Sequence, residues 1–479
     1  MQRLEPIPMV PGGMGRIRHI FMVGIGGAGM SGIAEVLVGL GYTVTGSDQS
    51  ENLVIERLRS LGVTVHIGHR AEHVEQADVL VVSAAVPEDN PERLAAQTLR
   101  IPVVPRAEML AELMRYRFGV AVAGTHGKTT TTSMIAAILS EAGEDPTFVI
   151  GGLLNQAGAN AALGGGHYLV VEADESDASF LHLQPIMAVV TNVESDHMEH
   201  YAGDVTRYRD TFNAFLHNLP FYGSAVICLD DPGARDLVSG LSRRVVTYGR
   251  HAAADYRLEN YRADGMSGHF DLIRSDNETA LSLTVRMPGL HNALNAAGAA
   301  ALCCDLHIVD DAITRGLAEF GGVGRRFSDL GDVHWDGGCA QVIDDYGHHP
   351  TEVSATLQAA RAAFPGRRVV MVYQPHRFTR TRDYFDDFVS VLSEGGSLIL
   401  LDVYAAGEAP IDGADSHTLA NAIRARGVID PVVVSAQAQL PAVLRGVLAD
   451  NDVLLMQGAG DIGRLAATLA AAESLEALQ

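Results

Sequence analysis

The sequence predicts an α/β protein of three domains, on three observations. Apolar, strand-like runs alternate with helical stretches along the 479 residues. Each third of the chain contains a strand that runs into a glycine- or arginine-rich turn and then a helix. Hydrophobic residues make up 47%, enough for several packed cores, and the length exceeds one ordinary domain. We place a Rossmann-like domain at 1–106, a central P-loop-type domain at 107–324 and a Rossmann-like α/β domain at 325–479. The central one is expected to hold a parallel sheet plus a small antiparallel insertion between Val245 and Arg286.

The first segment opens with the strand His19 to Val23, then Gly24-Ile25-Gly26-Gly27-Ala28-Gly29-Met30-Ser31-Gly32, then a helix. Gly24, Gly26 and Gly29 have the spacing of a dinucleotide-binding turn, where a helix N-terminus meets an anion. A second strand ends at Asp48, an acid suited to a ribose hydroxyl. A strand follows at Val79 to Ser83, and Pro102 to Pro105 read as a linker. The fingerprint alone also fits a nicotinamide or flavin enzyme, or glycines that only allow close helix packing.

The second segment carries the only lysine of the chain, Lys128, within Gly124-Thr125-His126-Gly127-Lys128-Thr129-Thr130-Thr131. Strand Phe118 to Ala123 precedes it and a helix from Thr129 to Ala142 follows. A compact ammonium suits a phosphate cradle in a way arginine's planar fork does not. Thr129 stands where a hydroxyl reaches phosphate-bound magnesium, so we read a nucleoside triphosphate site. The usual P-loop has glycine where this chain has Val122, so the match is to a shorter variant. Two later strands end in Glu172-Ala173-Asp174-Glu175-Ser176-Asp177 and in Asn192 to His197, on the edge where such a loop lies. Their carboxylates can hold magnesium, or can serve as caps and solvated loop residues. His291-Asn292 and Asn295 open an alanine-rich helix, and amides there can read an adenine edge or cap the helix.

In the third segment two turns stand out: Asp345-Tyr346-Gly347-His348-His349-Pro350 and Gln374-Pro375-His376-Arg377-Phe378-Thr379-Arg380-Thr381-Arg382. The second concentrates three arginines after a strand, suited to a carboxylate or phosphate; balancing of nearby aspartates is the alternative.

The formal net charge of −23 argues against nucleic acid or an anionic membrane as partner. No apolar run approaches a bilayer span, and Met1 to Arg18 contains no signal-like apolar region. Cys228, Cys303, Cys304 and Cys339 lack metal-ligand spacing and are expected to be free, buried thiols of a cytoplasmic protein.

Together these motifs resemble the Mur ligase family, in order and over essentially the whole chain. The two turns of the third segment point to its alanine-adding branch. The resemblance implies three domains that bind, in order, a UDP-sugar, ATP and an amino acid. It implies an ATP-dependent ligase of peptidoglycan-precursor synthesis that joins L-alanine to the lactyl carboxylate of UDP-N-acetylmuramate through an acyl phosphate. Two magnesium ions are expected, with Thr129 and Glu172 on one and His197 on the other. Gly124, Thr125, Gly127, Lys128, Thr129 and Thr130 would hold the phosphates, His291, Asn292 and Asn295 the adenine, and Arg326 the charge developed in transfer. Gly26, Gly27, Ala28, Gly29, Asp48, His69, Ser83 and Arg106 would hold the uridine diphosphate. Arg377 and Arg380 would take alanine's carboxylate, with Tyr346 and His348 around its amino group and the acyl centre. The resemblance implies a cytoplasmic monomer or dimer whose domains close.

Several later members of the family carry a carbamylated lysine on magnesium. Lys128 is the only lysine and belongs to the loop, so that device is absent, which favours the alanine-adding branch. A ligase that recycles an intact tripeptide shares the arginine turn and remains the nearest alternative. An NAD-dependent oxidoreductase would leave the lysine loop unexplained. A non-catalytic nucleotide-binding regulator should lack one of Lys128, Glu172, His197 and Arg326, and all four are present.

Overall fold

The computed structural model describes residues 13–83, 85–155, 159–196, 198, 200–276 and 280–478. His197 lies outside the described residues. The architecture is mixed α/β with three sheets. By compactness the chain forms two units. The first takes the chain up to Asn260 with Phe270–Thr284 and Leu294–Gly321; the second takes Tyr261–His269, Val285–Ala293 and the chain from Gly322 on.

The first sheet contains β1 (His19–Val23), β2 (Thr43–Asp48), β3 (Thr64–Ile67), β4 (Val79–Val82) and β5 (Val103–Pro105) in the order β3-β2-β1-β4-β5. All its pairings are parallel. Strands β1 and β4 read as continuous apolar runs because helices cover both faces of such a sheet. The Pro102 to Pro105 stretch is not a linker. Its residues Val103–Pro105 form the edge strand β5, where proline is tolerated because no ladder partner needs its missing N–H. Helix Arg106–Met114 follows immediately.

The central sheet is mixed: β6 (Phe118–Ala123), β7 (Thr147–Leu154), β8 (Ala159–Ala162), β9 (Tyr168–Glu172), β10 (Met187–Val190), β11 (Ser224–Cys228), β12 (Arg244–Gly249), β13 (Tyr256–Asp264), β14 (Ser267–Arg274) and β15 (Ala280–Val285). Their order is β15-β14-β13-β12-β11-β10-β6-β9-β7-β8. The region expected as a small antiparallel insertion adds to this same sheet: β12 pairs in parallel with β11, and β13 to β15 follow at its end. Strand β6 sits between β10 and β9, so three strand ends meet at the loop that carries Lys128.

The third sheet has β16 (Ser328–Trp335), β17 (Gly338–Asp345), β18 (Val369–Tyr373), β19 (Ser397–Leu401), β20 (Val432–Val434) and β21 (Asp452–Gln457) in the order β16-β17-β21-β18-β19-β20. Only β16 with β17 is antiparallel among its pairings. The cysteines are free, with Cys228 and Cys303 buried, but Cys304 and Cys339 are only half-buried. Among the described residues no helix is long and apolar enough to cross a membrane.

Candidate active site

In the first unit the turn after β1 borders a cavity of about 410 Å³. Gly24, Gly26, Gly27, Asp48, Asn52, His69 and Ser83 line it. Four parallel strands explain the convergence: β1, β2, β3 and β4 end on one edge and deliver these residues from neighbouring loops. Asp48 is partly engaged already, since Gly26 N donates to its Oδ2 at 2.9 Å. Ala28 opens the helix Ala28–Gly39. Next to it the Arg106 guanidinium lies over Gly29, where a Cβ would come 2.2 Å from Nη1 and displace that side chain. That guanidinium also reaches the Asp174 carboxylate at 3.3 Å. A second cavity of about 200 Å³ is lined by Ser83, Arg93, Arg106, Asp177 and Ser179, so Ser83 borders both. His69 Nδ1 lies 2.9 Å from the buried Glu92 carboxylate.

The lysine loop leaves β6 at Gly124 and enters the helix Lys128–Glu141, one residue earlier than its sequence suggests. Two glycines are required by conformation and space. Gly124 has φ +134° and a Cβ would fall 2.0 Å from Thr191 Oγ1; Gly127 has φ +82° and a Cβ would fall 2.4 Å from Asn295 Oδ1. Asn295 therefore lies against the loop. Thr125 Oγ1 donates to Glu194 O at 3.0 Å, and Thr130 is buried in the first turn of the helix.

Lys128 Nζ donates to the Gly124 and Thr125 carbonyls at 2.7 and 3.0 Å and to Glu175 Oε1 at 3.0 Å. Burial opposes its charge, but Glu175 and Asp174 outweigh burial and hold the ammonium above its usual range. Glu175 responds oppositely: burial pushes its carboxyl up to about 7 despite Lys128, and Asp174 adds to the rise. Thr129 Oγ1 donates to Glu172 Oε1 at 2.6 Å, which brings the two expected magnesium ligands together. Glu172 Oε2 accepts from Gly151 N. Two adjacent oxygen donors at the foot of a phosphate-type loop are the hard ligand set magnesium takes.

In the second unit Asp345 organises one turn. Its Oδ2 accepts from Phe327 N at 2.9 Å, and its Oδ1 accepts from Gly347 N, Thr356 Oγ1 and Gln457 Nε2 at 2.8, 3.1 and 3.0 Å. The Arg325 and Arg326 guanidinium carbons each lie 5.1 Å from the Tyr346 ring centroid. Arg326 is 3.8 Å from Glu352, and His348 N donates to Glu352 Oε2 at 2.9 Å. Arg380 is buried, with Nη1 3.4 Å from His376 Nδ1. Burial, then Arg380 and Arg377, push the His376 imidazole down to about 4. Arg377 holds φ +69° and lies 3.7 Å from Glu408. His348 and His376 rings are 5.6 Å apart, so both arginines and both histidines share one neighbourhood. Asn292 Nδ2 donates to Pro288 O at 2.8 Å, and burial lowers the His291 imidazole.

Glu92, Glu352 and Glu408 hold predicted site residues but carry no motif of their own, whereas Glu175 belongs to the strand-end segment Glu172 to Asp177 and its pairing with Lys128 is what the sequence did not show. Of the first three, only Glu352 had a readable signal, four residues after His348 on a helix start.

A three-sheet α/β chain with a lysine loop above a threonine–carboxylate pair defines a nucleotide-dependent enzyme. The Mur ligase family catalytic domain matches residues 19–118, the Mur ligase middle domain 122–303, and the Mur ligase glutamate ligase domain 325–460. A UDP-N-acetylmuramate-alanine ligase from Thermotoga maritima is 30% identical, with TM-score 0.80, covering 95% of this chain and 98% of its own. A murein peptide ligase from Psychrobacter arcticus is 25% identical, with TM-score 0.69 and coverages of 95% and 100%. A UDP-N-acetylmuramate:L-alanyl-gamma-D-glutamyl-meso-diaminopimelate ligase from Neisseria meningitides is 27% identical, with TM-score 0.59 and coverages of 64% and 100%. The chain belongs to the Mur ligase family, ATP-dependent, magnesium-requiring ligases of peptidoglycan-precursor synthesis.

Proposed function

We propose that this chain forms the amide bond between the lactyl carboxylate of UDP-N-acetylmuramate and L-alanine, converting ATP to ADP and phosphate. The observation that carries this reading is the likeness along 95% of the chain to the Thermotoga maritima ligase. That likeness is higher in identity and TM-score than the one to the Psychrobacter arcticus murein peptide ligase.

A carboxylate oxygen attacks the γ-phosphorus, ADP leaves, and an acyl phosphate remains. The alanine nitrogen then attacks the acyl carbon, phosphate leaves and the amine gives up its proton. Phosphoryl transfer asks the protein for position and charge, not for covalent chemistry. Lys128, held among loop carbonyls, is the positive point charge for the β- and γ-phosphates. Thr129 and Glu172 would hold magnesium, which neutralises phosphate charge; His197 is proposed for a second ion. Arg326 is proposed to stabilise charge developed in transfer, and Asn292 and Asn295 to face the adenine. The 410 Å³ cavity is proposed to take the uridine diphosphate, and Arg106, which lines the second cavity that Ser83 also borders, is proposed to meet its phosphates. Arg377 and Arg380 are proposed to clamp alanine's carboxylate beside His348 and Tyr346.

The test is phosphate release from ATP and magnesium with UDP-N-acetylmuramate, adding L-alanine or L-alanyl-γ-D-glutamyl-meso-diaminopimelate in parallel. Release with alanine and a product heavier by one alanyl unit is expected. Turnover with the tripeptide alone would move the chain to the recycling branch.

A further inference from the structure

The Glu92 side chain is completely buried, at the second position of the helix Pro91–Leu99. Four donors surround its carboxylate. Ser47 Oγ at 2.6 Å and His69 Nδ1 at 2.9 Å meet Oε2; His73 Nδ1 at 2.8 Å and Arg70 N at 3.3 Å meet Oε1. The two oxygens of a carboxylate offer about four lone-pair positions, so these four donors fill them. Facing carboxylate oxygens, the Nδ1 atoms of both imidazoles are the ring nitrogens placed to donate. His73 lies behind, its ring stacked on His66 with centroids 4.1 Å apart. His69 is different: its ring lines the 410 Å³ cavity with Gly26, Gly27 and Asp48. With Nδ1 committed to Glu92, Nε2 is the nitrogen left for a ligand.

We infer that Glu92 is a positioning residue for substrate recognition: it fixes the tautomer and orientation of His69, so that Nε2 is presented to the uridine diphosphate group. The inference rests on the proposed reading of this cavity as the UDP-sugar site. Ser47 takes part from the other side, since its hydroxyl bridges Glu92 Oε2 and lies 3.0 Å from His69 Nδ1. A ring held by two partners enters binding without losing its own rotational freedom, which is where affinity is gained. Leaving it untethered also leaves buried donors unpaired.

The experiment is titration calorimetry of the full chain with UDP-N-acetylmuramate, and separately with a non-hydrolysable ATP analogue. Glu92→Gln is expected to raise the Kd for UDP-N-acetylmuramate roughly tenfold and leave that for the analogue unchanged. In a His69→Ala background the same substitution is expected to add nothing, because its route to the ligand is gone. An unchanged Kd for Glu92→Gln, or an equal weakening with and without His69, would overturn the inference. Should Glu92→Gln not fold, Ser47→Ala replaces it, with a smaller weakening that again vanishes without His69; its persistence there counts against the inference. Wild-type protein that binds the analogue but not UDP-N-acetylmuramate would instead sink the reading of the cavity, and the inference with it.

Discussion

The ammonium of Lys128 lies 2.8 Å from Glu175 Oε2, and the Glu175 side chain is fully buried. The one lysine of the chain is thus paired with a carboxylate 47 residues away and with two loop carbonyls. The pairing keeps the ammonium charged and inside the loop, where an isolated buried charge would be costly.

Lys128→Ala removes the point charge and leaves Glu175 without its partner. Loss of one preorganised electrostatic group predicts ~2–4 kcal/mol less transition-state stabilisation, roughly thirtyfold to a thousandfold in kcat/KM. Steady-state phosphate release checks it, and near-normal turnover would refute the loop assignment.

Arg380 is buried beside His376, on the arginine turn and away from the lysine loop in sequence. Arg380→Ala should raise the KM for alanine far more than that for ATP. Varying each substrate at saturation of the others measures this, and equal changes would refute the role.

Asp345→Ala should destabilise the protein by about 3 kcal/mol, seen as a lower denaturation midpoint of the transition that includes the third sheet. Its carboxylate accepts from two backbone N–H groups, Phe327 and Gly347, and from two side chains. Each orphaned buried donor costs about 1–3 kcal/mol, with partial relief where the site relaxes. A midpoint unchanged by the substitution would contradict the hydrogen-bond count.

His376 has its imidazole pushed down to about 4 by burial, then by Arg380 and Arg377, with Glu408 opposing. Above its ordinary value near 6.5 the folded and unfolded chains are both neutral here, and this contribution to stability is complete. As pH falls from 6.5 toward 4, the unfolded chain takes a proton that the folded chain refuses, and stability is lost. On the order of 1 kcal/mol should disappear between pH 7 and 5 after allowance for solvent screening of a partly exposed ring. Denaturation of wild type and His376→Gln at both pH values tests this; the variant should lose less.

What was legible in the sequence was local. The turn at Gly24 to Gly29, the loop around Lys128 and the arginine turn after Tyr373 are contiguous, and their chemistry follows from strand, turn and helix start. Alternation of strands and helices likewise announced an α/β fold, because parallel sheets need helical crossovers. The stretch Pro102 to Pro105 misled, because proline marks both linkers and edge strands. Only the pairing of β5 with β4 separates the two.

By itself, then, the sequence determined the class of fold, the phosphate-type loop and the residue types offered to substrates. Only the tertiary structure decided which carboxylates hold them: Glu92 on Ser47 across 45 residues, Glu408 on Thr379 across 29, and, among the acids of the strand end at 172–177, Glu175 on Lys128. Backbone turns encode motifs through neighbouring residues. A buried acid finds its partners through the packing of distant strands, and its place along the chain carries no trace of them.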